Sequence, residues 1–219
     1  MDIKDKAMSA VVNMLIKYVR KDFDNNAMKL LNLVEKLDVK KVNQSTYDGL
    51  HKALDDPNNN WTKFVKRLAL DTDEGVLRKF VPAALNVAMY SYDKRMASIE
   101  KYNCNVPWAI LMDPTAACNL HCKGCWAAEY GHQSSLSYET LSRIVKEGKE
   151  LGTYMYLYTG GEPLMRKKDL IRICEENPDC AFMSFTNGTL CDDEFADELQ
   201  RVGNLYLAFS IEGYEDTND

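Results

Sequence analysis

Apolar side chains along this chain change their rhythm near residue 106. Before that point they recur at helical spacing. Val11, Val12, Leu15, Ile16 and Val19 mark one face of a helix over residues 7–21. Met28, Leu31 and Val34 mark a second over residues 25–37, with Asp24 as its expected cap. Shorter helices are expected at 45–54 and 61–70, parted by Pro57 and a run of three asparagines. The pattern resumes after the capped entry at Asp71 to Glu74 and runs to about residue 102, with Pro82 expected to kink or interrupt it. Met8, Met14 and Met28 read as core gap-fillers. His51, alone on its helix, is assigned no chemistry.

Beyond residue 106, short apolar runs alternate with amphipathic segments. Strands are expected at 108–113, 154–158, 181–185 and 205–211, and helices at 137–151, 167–176 and 192–202. Such alternation predicts βα units and a parallel sheet in an α/β fold. The expected organisation is an all-α N-terminal domain over residues 1–103 followed by an α/β domain over 104–219. Four strands are fewer than a barrel needs, and the sequence stops just past the fourth. The expectation is therefore a fragment that lacks the C-terminal part of its fold, with an unpaired edge, poor solubility and weak catalysis.

Composition narrows the class. An apolar content of 46% over 219 residues is ample for a buried core. The net charge of −6 divides unevenly: residues 1–103 carry 18 basic and 14 acidic side chains, and residues 104–219 carry 9 and 19. An acidic second half offers no electrostatic footprint for nucleic acid. No stretch of eighteen apolar residues and no signal-peptide pattern occur, so neither a membrane span nor secretion is expected. Seven cysteines, three of them bunched, do not form a disulfide pattern and point to a reducing, cytoplasmic setting.

The bunched cysteines are Cys118, Cys122 and Cys125, spaced C-x3-C-x2-C just after the first expected strand. Three thiolates on one short loop suit a cubane iron–sulfur cluster with one iron left open. The same triplet with His121 or His132 also suits structural zinc, and three simply buried thiols are a further reading. Reactive groups of parallel α/β folds lie at the carboxyl ends of strands, and three further motifs fall there: Gly160-Gly161-Glu162-Pro163, Thr186-Asn187-Gly188, and Ser210-Ile211-Glu212-Gly213. Adjacent glycines let a ligand approach the backbone, and Glu162 can accept hydrogen bonds from an ammonium group. Thr186, Asn187, Ser210 and Glu212 offer groups of the kind that bind ribose hydroxyls. Each loop alone also reads as ordinary turn chemistry. Cys174, Cys180, Cys191 and Cys104 are read as small buried hydrophobes rather than auxiliary cluster ligands. Glu129 and His132 are contacts behind the site, substrate contacts or simply polar loop residues, and the Arg166-Lys167-Lys168 run is read as a solvated turn.

Taken together, these motifs resemble the radical SAM family from about residue 106 to residue 219. The resemblance implies a partial (β/α)6 barrel of which this chain supplies four strands. It implies a [4Fe-4S] cluster on Cys118, Cys122 and Cys125, whose open iron binds the methionine end of S-adenosylmethionine. Gly160, Gly161 and Glu162 would contact the methionine amine, Ser210 and Glu212 the ribose, and Asn187 would supply the polar group after the third strand. The implied chemistry is reductive cleavage to a 5'-deoxyadenosyl radical that abstracts hydrogen, in an oxygen-sensitive enzyme fed by a low-potential donor of flavodoxin or ferredoxin type. Two positions depart from the family pattern: Gly124 stands where an aromatic is common, and Glu212 where aspartate is commoner. Rival readings are a structural Cys3His zinc module and an interaction protein with a lapsed catalytic half. Peptide, lipid and small-metabolite substrates all remain open.

Overall fold

The structure, a computed structural model, describes residues 3–38, 44–125, 127, 134–211 and 213–214. It divides into two compact units, Met1–Arg78 and Lys79–Asp219.

The first unit is helical throughout its described residues: α1 Ile3–Lys21, α2 Phe23–Leu37, α3 Gln44–Asp55, α4 Asn60–Asp71 and the first turn of α5, Glu74–Leu85. Val12, Ile16, Phe23, Tyr47 and Leu77 are its buried apolar side chains. Arg20 donates to the carbonyls of Leu70 and Thr72, both at 2.9 Å, and so ties the end of α1 to the end of α4. The cap of α2 is Asp22, which accepts from the Asn25 N–H; Asp24, the expected cap, instead pairs with Lys66 at 2.7 Å. Asn59 and Asp73 cap α4 and α5 through backbone N–H groups. Met14 is exposed, so it fills no core gap. His51 joins α3 to α2 through Glu35 at 2.7 Å.

In the second unit α5 passes through Pro82 and gives way to a π-turn at Asn86–Tyr90 before α6, Ser91–Tyr102. Then β1 Ala109–Thr115, α7 Tyr138–Leu151, β2 Met155–Gly160, α8 Lys167–Glu176, β3 Ala181–Thr186, α9 Asp193–Val202 and β4 Leu205–Phe209 follow in turn. The strands pair in parallel in sequence order, β1-β2-β3-β4, which is the α/β arrangement expected of a partial barrel.

Strand periodicity sorts the two faces of the sheet. Met112, Tyr156, Tyr158, Phe182 and Leu205 pack with Leu141 and Val145 of α7, Leu170 and Ile173 of α8, and Phe195 of α9 in one core. Phe182 stacks between Tyr156 and Tyr158, with ring centroids 5.5 and 5.9 Å away. Side chains of opposite parity lie on the other face, where Leu111 is 60% and Phe185 39% exposed. Asn204 clamps the β3 entry: its buried amide nitrogen lies within 3.1 Å of the carbonyls of Cys174, Asn177 and Cys180.

Cys174 and Cys180 lie in this core, whereas Cys104 is exposed rather than buried as expected. Burial pushes the Cys174 thiol well up and the Cys180 thiol from 9.0 to about 12. The unfolded chain releases these protons near pH 9 while the folded chain keeps them, so stability falls as pH rises from about 9 to about 12. The Tyr156 and Tyr158 hydroxyls, also pushed up by burial, act in the same direction. Urea unfolding at about pH 8 and about pH 10 is expected to show this loss, and Cys180→Ala to reduce but not abolish it.

Candidate active site at the strand ends

The carboxyl ends of β1, β2 and β3 meet through backbone contacts that need the two glycines. Gly160 closes β2 with φ +106°, and a Cβ there would stand 2.7 Å from the Thr115 carbonyl oxygen. A Cβ on Gly161 would stand 2.5 Å from the Ala116 oxygen and closer still to that of Ala117. The Gly161 and Glu162 N–H groups donate to Thr115 and Ala117 oxygens, at 3.0 and 2.8 Å. The double glycine thus serves to seat the first residues of the cysteine loop on the β2 turn. Gly161→Ala is expected to destabilise the protein by about 2 kcal/mol, as overpacking against backbone does, read as a lowered urea midpoint at unchanged m-value.

Glu162, 1% exposed, faces inward. Its Oε1 accepts from the Leu164 N–H at 2.9 Å and the Thr186 hydroxyl at 2.8 Å, and its Oε2 accepts from the Asn187 N–H at 2.8 Å. One carboxylate therefore caps the 3-10 turn Pro163–Arg166 and fastens β2 to the loop after β3. Thr186 in turn receives the Gly188 N–H on its hydroxyl, and its carbonyl receives the Ser210 N–H at 2.9 Å, which brings the end of β4 alongside. The Ser210 side chain is exposed.

The cysteine loop leaves β1 on a second set of bonds. Ala117 N–H donates to the Thr115 hydroxyl oxygen, which lies 2.7 Å from Ser135 Oγ, and Ala116 N–H donates to the Ser134 carbonyl. Arg166 is no solvated turn residue: it is partly buried, donates to the Leu136 carbonyl at 2.8 Å and pairs with Asp169 at 2.6 Å. Lys167 pairs with Asp192 at 2.5 Å. A cavity of about 270 Å³ opens here, lined in part by Asp113, Ala116, Ser134, Ser135, Gly160 and Gly161.

Cys118 and Cys125 are half-buried and Cys122 is exposed, all three as free thiols. The Cys125 N–H donates to the Cys122 carbonyl at 3.3 Å, and the Leu120 N–H points at Cys118 Sγ from 3.4 Å. Among the described residues no three Cys, His, Asp or Glu side chains stand together as a ready-made metal site. The donor set nevertheless suits a thiophilic cluster: three free thiols on one loop, with N–H groups directed at a sulfur. The structure thus brings Gly160, Gly161, Glu162, Asn187 and Cys118 into one bonded assembly, with Ser210 beside it. Trp126, Glu129, His132 and Glu212 lie outside the described residues. Sequence reasoning passed over Asn119 and Thr189, whose side chains bond to Asn187, and Asp113, exposed at the cavity; only adjacency to Cys118 and Asn187 marks the first two.

Residues 112–218 match the Radical SAM superfamily. They form a radical SAM domain. The chain is 35% identical over 114 residues to an Fe-coproporphyrin III synthase of Methanosarcina barkeri, a match covering 50% of this chain and 28% of that one. It is 31% identical over 113 residues to an AdoMet-dependent heme synthase of the same organism, covering 50% and 32%. A GTP 3',8-cyclase of Desulforamulus reducens is 30% identical over 120 residues, covering 52% and 37%. The chain thus spans roughly a quarter to two-fifths of the length of these relatives. Among solved structures, Streptococcus suis SuiB bound to S-adenosylmethionine aligns with TM-score 0.49 at 22% identity, covering 57% of this chain and 30% of that one. The radical SAM match begins at Met112 in β1 and takes in all four strand-end motifs. Among the described residues no helix is long and apolar enough to cross a membrane.

Proposed function

We propose that residues 104–219 hold a [4Fe-4S] cluster on Cys118, Cys122 and Cys125, and bind S-adenosylmethionine against the Gly160 to Glu162 turn, Asn187, Ser210 and Glu212. The reaction is reductive cleavage to a 5'-deoxyadenosyl radical that takes a hydrogen atom from substrate. When bound, the cluster supplies the electron that breaks the sulfonium carbon–sulfur bond. A low-potential flavodoxin or ferredoxin delivers that electron in a reducing cytoplasm. Residues 1–78 are a separate helical unit in this reading, and residues 79–103 belong with the α/β part.

The observation that carries the reading is the single buried carboxylate of Glu162, which joins the β2 turn to the loop after β3. Asn187 extends the link to the first cysteine, its Nδ2 lying 4.0 Å from Cys118 Sγ. Motifs far apart in sequence are thereby held in one hydrogen-bonded frame, the preorganisation that catalysis needs. The seated Thr115 to Ala117 segment fixes where the cysteine loop begins, and thiolate ligation is coupled to the folding of such a loop. The exposed Cys122 leaves that loop open to an incoming cluster. Relatives named for coproporphyrin, heme and GTP share this segment, so the proposal commits to the reductive step and leaves the substrate open.

Anaerobic reconstitution of the full chain with iron and sulfide tests this. A brown protein bleached by dithionite, which then releases deoxyadenosine and methionine from S-adenosylmethionine, is the expected result. A colourless protein holding stoichiometric zinc and releasing no deoxyadenosine overturns it.

A further inference from the structure

Three side chains beside the cysteine loop form a closed ring of hydrogen bonds. Asn187 Nδ2 donates to Asn119 Oδ1 at 3.1 Å, Asn119 Nδ2 donates to Thr189 Oγ1 at 2.7 Å, and Thr189 Oγ1 donates to Asn187 Oδ1 at 2.7 Å. Each member gives one bond and takes one, so each polarises the next. The Thr189 N–H adds a second donor to Asn187 Oδ1 at 3.0 Å.

The ring decides which way the Asn187 amide faces. With two donors on its oxygen, flipping it would set N–H against N–H and oxygen against oxygen, so the NH2 end is fixed. One of its protons is used by Asn119. The other is left on the side of Cys118, whose sulfur lies 4.0 Å from the same nitrogen. The backbone of Asn187 is pinned as well, by its N–H to Glu162. The Asn119 side chain also holds the cysteine loop, at the residue directly after Cys118, against the loop after β3.

We propose that Asn119 and Thr189 are positioning residues. Through the fixed Asn187 amide they hold an N–H donor at the Cys118 sulfur and so raise the reduction potential of the cluster bound there. The inference rests on the function proposed above. The physics is direct: an N–H donor stabilises negative charge on a ligating sulfur, and the reduced cluster carries one more negative charge than the oxidised one. Removing the fixed donor therefore makes reduction harder. Neither Asn119 nor Thr189 needs to touch S-adenosylmethionine for this.

Thr189→Val removes the hydroxyl at near-constant shape, opens the ring and loosens the Asn187 amide, whose oxygen keeps only the backbone N–H of residue 189 as a donor. In reconstituted full-length protein, dithionite titration followed by electron paramagnetic resonance is expected to give a lower midpoint potential for Thr189→Val than for wild type. Iron release to a chelator should be faster, and Thr189→Ser, which keeps the hydroxyl, should restore both. Asn119→Ala, which breaks the ring from the other loop, should shift the potential the same way. Wild type that takes up no iron overturns the proposed function and this inference with it. Wild type that loads normally, with Thr189→Val and Asn119→Ala at the wild-type potential, overturns the inference alone. A Thr189→Val shift that Thr189→Ser fails to restore also overturns it, since the hydroxyl is then not the cause.

Discussion

Replacing Cys122 by alanine is expected to abolish iron uptake and deoxyadenosine formation, while leaving the stability of the metal-free protein within about 0.5 kcal/mol of wild type. Cys122 is exposed, and its backbone role, accepting the Cys125 N–H on its carbonyl, survives the substitution. No packing is lost, so the whole effect falls on ligation. Two thiolates cannot hold a cubane cluster that is built for three or four. Cys118→Ala should lose iron uptake too, with a small structural effect added, because its sulfur receives the Leu120 N–H. Iron and sulfide analysis beside urea unfolding separates the two effects. Deoxyadenosine production by Cys122→Ala at the wild-type rate would falsify the ligand assignment. A collapse in the stability of the metal-free protein would instead make Cys122 a structural residue.

How far the sequence could be read depended on whether an interaction was local. The βα alternation was legible because each strand and helix carries its own period, and the four strands of the sheet fall within a few residues of the apolar runs that announce them. Parallel order placed every motif at one edge without any knowledge of contacts. Partners distant in sequence were not legible. Gly160 and Gly161 read as room for a ligand, yet the space a side chain would fill is held by the Thr115 to Ala117 backbone, 44 to 45 residues earlier. Arg166 sat in a basic run that looked solvated, and only the folded chain sets the Leu136 carbonyl before its guanidinium. Asp24 lost its expected cap role to Asp22 because the helix starts at Phe23, ahead of its apolar pattern, which puts Asp24 in the first turn, where it pairs with Lys66 of another helix. Cysteine as a residue type favours burial, yet the chain leaves Cys104 exposed.

Glu162 shows most sharply how a motif residue can hold the fold and the site at once. Glu162→Ala is expected to lower stability by about 3–5 kcal/mol. It would leave the Leu164 and Asn187 N–H groups and the Thr186 hydroxyl without their acceptor, and each unsatisfied buried group costs about 1–3 kcal/mol. Relaxation and water entry keep the total below the full sum. Glu162→Gln keeps the shape and an oxygen for two of the three donors, but sets an NH2 group against the third, so about 2 kcal/mol is expected. Urea unfolding of the metal-free proteins reads both values. The alternative is that Glu162 exists mainly to receive the ammonium of S-adenosylmethionine. In that case both variants keep their stability and show only a raised KM for S-adenosylmethionine. The geometry favours a joint effect: with one carboxylate holding the Pro163–Arg166 turn and the Asn187 backbone, removing it loosens the frame that carries Cys118. Glu162→Ala should therefore lose stability and iron retention together, and a variant that loses only one of them would break the link between the turn and the cysteine loop.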